Sequence, residues 1–183
     1  MATVNNVSTG KPKIGGAINS APIGTALPTD ATSTLAEAYK NFGYVSEDGL
    51  TNSNSAESDS VKAWGGDEVL NIQTEKPDHF TYTLIEVTNP DVLKHVYGSE
   101  NVTGTYATGI TITANSKPQE SQIIVFDMIL RDGGLKRIVC PNAQVISVGD
   151  IVYNDSDPIG YEIELACYPD ATGNTHYEYI VKN

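Results

Sequence analysis

Residues 122–140, QIIVFDMILRDGGLKRIVC, decide the fold. Gln122–Arg131 is the longest apolar run in the chain, broken by Asp127, and its Ile, Val and Phe content predicts a strand at the centre of a sheet. Asp132-Gly133-Gly134 then supplies residues that tolerate positive φ, as a tight hairpin turn requires. Leu135–Cys140 returns beside the first strand. Two apolar runs joined by such a turn make an antiparallel pair.

Downstream the same grammar repeats. Val145–Val148, Ile151–Tyr153, Ile159–Tyr168 and His176–Val181 read as strands. Gly149-Asp150, Asp155–Pro158 and Asp170–Gly173 punctuate them. In Ile159–Tyr168 the period of two places Ile159, Tyr161, Ile163, Leu165 and Cys167 on one face, with Glu162, Glu164 and Tyr168 on the other. In the last strand Tyr177, Tyr179 and Val181 oppose His176 and Glu178. Upstream, Glu68–Thr74 and Phe80–Thr88 read as strands with Lys76-Pro77-Asp78 as the turn between them, and Gly109–Ala114 alternates Ile with Thr.

One helix interrupts the strands, over about residues 90–97. Asn89 is placed to cap it, Pro90 suits its first position, Asp91 favours its positive end, and Gly98 suits its exit. Val92, Leu93 and Val96 share a face, with Tyr97 at its edge; Lys94 and His95 are expected to be more exposed. The fold class is therefore mainly β, a β-sandwich or partial barrel with one short flanking helix.

The remaining segments are polar. Residues 1–34 read as an extended arm, rich in Gly, Ala, Pro, Thr and Ser, before a domain over 35–183. The arm carries Lys11, Lys13 and Asp30, a net of +1, which leaves −13 for the rest. Residues 35–45 suit a helical turn or a strand equally. Residues 46–62 (SEDGLTNSNSAESDSVK) read as a long exposed loop, with Glu47, Asp48, Glu57 and Asp59 ahead of Lys62.

Composition narrows the function. The 183 residues hold 23 acids against 11 bases, a formal charge of −12. Nucleic-acid binders draw affinity from basic surfaces that displace counterions, so a DNA or RNA binder is excluded. An anionic membrane would repel the chain, no run reaches transmembrane length, and MATVNNVSTGKPKIGG has no signal-peptide pattern. The expected setting is soluble, beginning in a cytosol. Cys140 and Cys167 lack CxxC spacing and read as small buried apolar residues, a disulfide being the alternative.

No catalytic constellation emerges. The chain has no P-loop, dinucleotide-binding glycine fingerprint or GxSxG elbow. His79, His95 and His176 have no neighbours at metal-ligand spacing. Glu162 and Glu164 could mimic a carboxylate pair, but glycosidase carboxylates come from different elements across a cleft. Asp155 and Asp157 lack the rest of a calcium loop. No enzyme, metal or cofactor is expected.

The order of the pieces resembles a known family. FGYVSEDGL (42–50), VKAWGGDEV (61–69), NPDVLKHVYG (89–98), LRDGGLKRIVCPNAQV (130–145), GYEIELACYPD (160–170) and a final G-x-x-x-Y-E-Y-I strand together resemble the major tail tube proteins of siphophages, especially those of Gram-positive hosts. The resemblance covers nearly all of 35–183 and is weakest in the arm. It implies a β-sandwich with a flanking helix, hexameric rings stacking into a tube, and a virion protein assembled in the host cytoplasm. Its implied partners are further copies of itself and the tape-measure, distal tail and tail terminator proteins, while DNA passes through without specific binding.

On that footing Asp127, Glu162, Glu164 and Glu178 are candidate lumen-facing acids. Lys11, Lys13, Glu47, Asp48, Glu57 and Asp59 are candidate contacts between subunits or rings. Three rival readings stand beside it: a ring protein of the same architecture from the distal tail or a secretion-system tube, a secreted β-sandwich binding module, and a small hydrolase with a dispersed site, for which the sequence offers no pocket of converging polar groups.

Overall fold

A computed structural model describes residues 2–182. Its strands are β1 (Gly10–Pro12), β2 (Ile18–Pro22), β3 (Lys40–Asn41), β4 (Val45–Ser53), β5 (Glu57–Lys62), β6 (Glu68–Glu75) and β7 (His79–Leu84). Helix α1 (Pro90–Tyr97) follows, then β8 (Val102–Thr105), β9 (Gly109–Ile112), β10 (Gln122–Leu130), β11 (Leu135–Val148), β12 (Tyr161–Cys167) and β13 (Tyr177–Val181). The fold is mainly β with one short helix, as the strand grammar predicts.

The hairpin that decides the fold is its spine. β10 and β11 pair antiparallel around Asp132-Gly133-Gly134, with Ile129 opposite Leu135 and Ile124 opposite Cys140. The main sheet runs β3-β2-β10-β11-β12-β7-β4, with β1 continuing alongside β10 and β13 alongside β11. β11 changes partner along its length, from β13 over residues 135–139 to β12 over residues 143–148. Pro141 sits at the changeover, where the β10 register slips by one residue. A proline has no N–H to give a ladder, and a bulge is where a sheet tolerates one.

The sheet curls on itself. β10 and β7 lie three strands apart in the order, about 14 Å in a flat sheet. Yet the rings of Phe126 and Phe80 are 5.0 Å apart, and those of Phe126 and Tyr82 are 5.7 Å apart. Ile124, Phe126, Ile138, Ile163 and Leu165 therefore fill an interior, which Val92, Leu93 and Val96 of α1 help to close. The helix forms as its signals require: the Asn89 side chain accepts from the Asp91 N–H at 3.0 Å, and Gly98 leaves at φ 96° with its N–H on the Lys94 carbonyl.

Several expectations are corrected. Residues 46–62 do not form a loop: β4 pairs with β7 and β5 pairs with β6, leaving 54–56 as the connection. Residues 1–34 are not a featureless arm, since β1 and β2 extend the sheet along β10. The turn at 76–78 joins strands that do not pair with each other. Ile151–Tyr153 is not a strand, and β8 forms a small ribbon with β9 that composition did not reveal. His95 is buried, held by the Tyr82 hydroxyl at 2.7 Å and the Gln122 side-chain amide at 2.9 Å.

Candidate assembly surface

The outer face of the curled sheet has two halves. Over β10 and β11 it is apolar, with Ile123, Val125 and Val139 covered by Leu35 and Tyr39. Asp127 and Arg137 stand in the same alternation on this half. The Arg137 guanidinium is fully buried and donates to both Asp127 carboxylate oxygens, at 2.6 and 3.0 Å. Its remaining nitrogen donates to the carbonyls of Asp30 and Ser33. Lys13 approaches the same carboxylate at 3.4 Å.

A side chain buried within one subunit cannot line a channel, so Asp127 leaves the lumen candidates. Its real work is to clamp the N-terminal segment across the sheet. The arm's charge is thereby partly spent inside its own chain: Lys13 serves this clamp, and Lys11 stays exposed on β1.

Over β4, β7 and β12 the outer face is open and polar. Glu162 stands opposite Thr83, Glu164 opposite Thr81, and Thr81 opposite Thr51. On the β11 side Glu164 faces Ser147. Glu162 is exposed and Glu164 half-buried, the latter touching His79 at 3.1 Å. Asp150 and Asp157 border a shallow depression with Glu162. This half is a wall of short hydroxyls and carboxylates. Glu178 does not join it, because its cross-strand partner is Ile138, whose side chain fills the interior, and because it pairs with Lys136 at 2.9 Å.

The second feature is the ribbon β5–β6. Every residue from 57 to 75 is exposed. Cross-strand pairs put Val61, Leu70 and Ile72 on one side, with Asp59 beside Ile72, and Ser58, Ser60, Asn71 and Gln73 on the other. A two-stranded ribbon is marginal alone, and an apolar stripe of this kind normally packs against something. Gly65 and Gly66, both at positive φ, turn the ribbon and leave Trp64 fully exposed at its tip. That glycine pair was the signal from which the sequence reading could have drawn a hairpin. Glu57 faces Glu75 at the root, and Glu47 and Asp48 lie on β4 at the end away from the ribbon.

The root is rigid. Asp78, buried where β6 leads into β7, accepts from the Asn52 amide at 2.8 Å, the Thr175 hydroxyl at 2.5 Å and His176 Nδ1 at 2.5 Å. Burial pushes its pKa up, but the hydrogen bonds from Thr175, Asn52 and His176 outweigh that and leave it below the usual carboxylate value.

Among the described residues no group of three or more His, Cys, Asp or Glu side chains could hold a metal ion, and no helix is long and apolar enough to cross a membrane. Cys140 and Cys167 are buried and free, and burial, first of all, pushes the Cys140 thiol well above its ordinary value. No curated protein matches the chain. The model of one family, described as phage tail tube protein, matches residues 4–183, and the chain belongs to that family: it is a structural protein of the phage virion and not an enzyme.

Proposed function

We propose that six copies close into a ring, that rings stack into the tail tube, and that the open polar half of the sheet faces the channel. The observation that carries this reading is the ribbon β5–β6, an amphipathic hairpin with its apolar side uncovered in a single subunit. A second copy supplies the missing surface. Head-to-tail contacts of this kind repeat, so they build rings where the rotation closes and columns where it does not.

The wall of β4, β7 and β12 suits a conduit. Six copies carry six times the −12 of one, and duplex DNA carries one negative charge per roughly 1.7 Å. Screening confines the repulsion to about 8 Å, so it prevents adhesion at the wall without centring the duplex. Thr51, Thr81, Thr83, Glu162 and Glu164 include no cation for a phosphate to grip. The tube then works with the tape-measure, distal tail and terminator proteins, and DNA passes without being bound.

Excising the ribbon tests the reading. Replacing residues 55–76 by a short Gly-Ser link spares β4, β7 and the Asp78 clamp, so the body still folds. The expected product is a monomer or single ring by sedimentation. Tubes of normal appearance from this variant would remove the ribbon from assembly.

A further inference from the structure

Every residue of the ribbon from 57 to 75 is exposed, so its direction is set where it joins the sheet and not along its length. It hangs on two legs. The first, residues 54–56, is exposed Asn, Ser and Ala, none of which restricts its backbone. The second is Lys76-Pro77. The proline ring fixes its own φ and biases Lys76 towards extended backbone, so this leg is stiff.

A stiff leg directs the ribbon only if its inner end is fixed, and that end is the buried Asp78. One of its carboxylate oxygens accepts from the Asn52 side-chain amide, the other from the Thr175 hydroxyl and from His176 Nδ1. Its carbonyl accepts from the Cys167 N–H at 2.8 Å. The Asn52 amide also donates to the His79 carbonyl at 3.0 Å, beside the last rung of the β4–β7 ladder. His176 is held in turn by an edge-on contact with Phe80, their ring centroids 5.5 Å apart. Asp78 thus ties together the end of β4, the end of β12 and the entry to β13, directly beneath the two legs.

Burying a carboxylate is costly, and an apolar side chain would fill the site without that cost. What the carboxylate adds is a fixed orientation, because donors on separate segments must all meet it. Hydrogen bonds to an ionised group are also roughly twice as strong as neutral ones.

Resting on the ribbon's role in assembly proposed above, we infer that Asp78 is a positioning residue for assembly: it locks the root so that the ribbon projects in one direction before a neighbour arrives. A surface already held in its bound direction loses less conformational entropy on contact, whereas a swinging one gives up part of its binding energy to ordering. Being buried, Asp78 acts through the leg it anchors and not by touching the neighbour.

Trp64, the one tryptophan of the chain, stands fully exposed at the ribbon tip and reports the lock. Time-resolved anisotropy of its emission is measured on dilute monomer of the full chain, together with the concentration at which tubes first appear. In the wild type, depolarisation follows tumbling of the body once local rotation of the indole is complete. Asp78→Asn, and the milder Thr175→Val, which removes one donor and keeps the shape, are expected to add a segmental component on the nanosecond scale. Their tube threshold rises several-fold, more for Asp78→Asn. Val92→Ala trims the core under α1 and leaves the partners of Asp78 in place, so it lowers stability and moves neither readout. Where Asp78→Asn does not fold, Thr175→Val carries the test. A ribbon as stiff in the variants as in the wild type overturns the lock. A ribbon that swings while tubes form at the wild-type concentration overturns the link to assembly. A wild-type chain that forms no tubes even on preformed tail tips overturns the stacked-ring reading, and the anisotropy still decides the lock.

Discussion

Arg137 and Asp127 show how much one buried charge can decide. An isolated charge in the interior is costly, and this one persists because each of the three guanidinium nitrogens donates to an oxygen. Removing one partner strands the other. Arg137→Ala is expected to cost about 3–5 kcal/mol and to free residues 30–33 from the sheet. Urea unfolding checks the first, and faster proteolysis in that segment checks the second. The sequence showed Asp127 interrupting an apolar strand but not which side of the sheet was covered, so the acid read as a lumen candidate. Its ion partner, ten residues away across a hairpin, becomes visible only once the register is known.

His95 gives a pH dependence whose sign is fixed. Burial, opposed by the Gln122 hydrogen bond, lowers its pKa from 6.5 to about 4. Between those values the unfolded chain binds a proton that the folded chain refuses. Stability is therefore complete above pH 6.5 and falls as pH drops towards 4, by about 3 kcal/mol in all. His95→Gln lowers stability at neutral pH but flattens this slope, which urea midpoints at pH 7 and pH 4.5 measure. An unchanged slope in the variant would assign the effect elsewhere. The loss from Asp78 lies in a separate window, below the ordinary carboxylate value of 3.8.

At the scale of elements, legibility followed local chemistry. Helix α1 was readable to the residue because Asn89, Pro90 and Gly98 act on their immediate neighbours. β10 was readable because burial of both its faces makes a continuous apolar run, and β12 because one buried face imposes a period of two over residues 161–165. β4 and β5 were not, since their Ser, Asn and Asp residues carry no such pattern. β4 is held by hydrogen bonds to β7, and β5 by those to β6, and both lie open to water. Deleting residues 50–60, which a loop reading would invite, would cut into β4 and test folding more than assembly.

β12 carries the prediction about the channel. Its inward residues Tyr161, Ile163 and Leu165 belong to the core, so changing Glu162 and Glu164 leaves the interior in place and gives up the Glu164–His79 contact. Glu162→Lys with Glu164→Lys leaves tubes intact but gives phosphates a cation at the wall, and ejection from such particles slows. Real-time measurement of DNA release from purified virions checks this. Release at the normal rate would move the lumen to another face.

The whole molecule is a curled sheet with a closed interior, one half of its outer face covered by its own N-terminal segment and the other half open and polar. The ribbon is the part that a single sequence reads least well, because every one of its residues lies exposed and none is tied to the core pattern. The most direct measurement is negative-stain electron microscopy of the purified full chain across a range of concentrations, with and without preformed tail tips. Stacked rings forming hollow tubes of uniform diameter are the expected result; particles that stay monomeric under every one of these conditions would contradict the account.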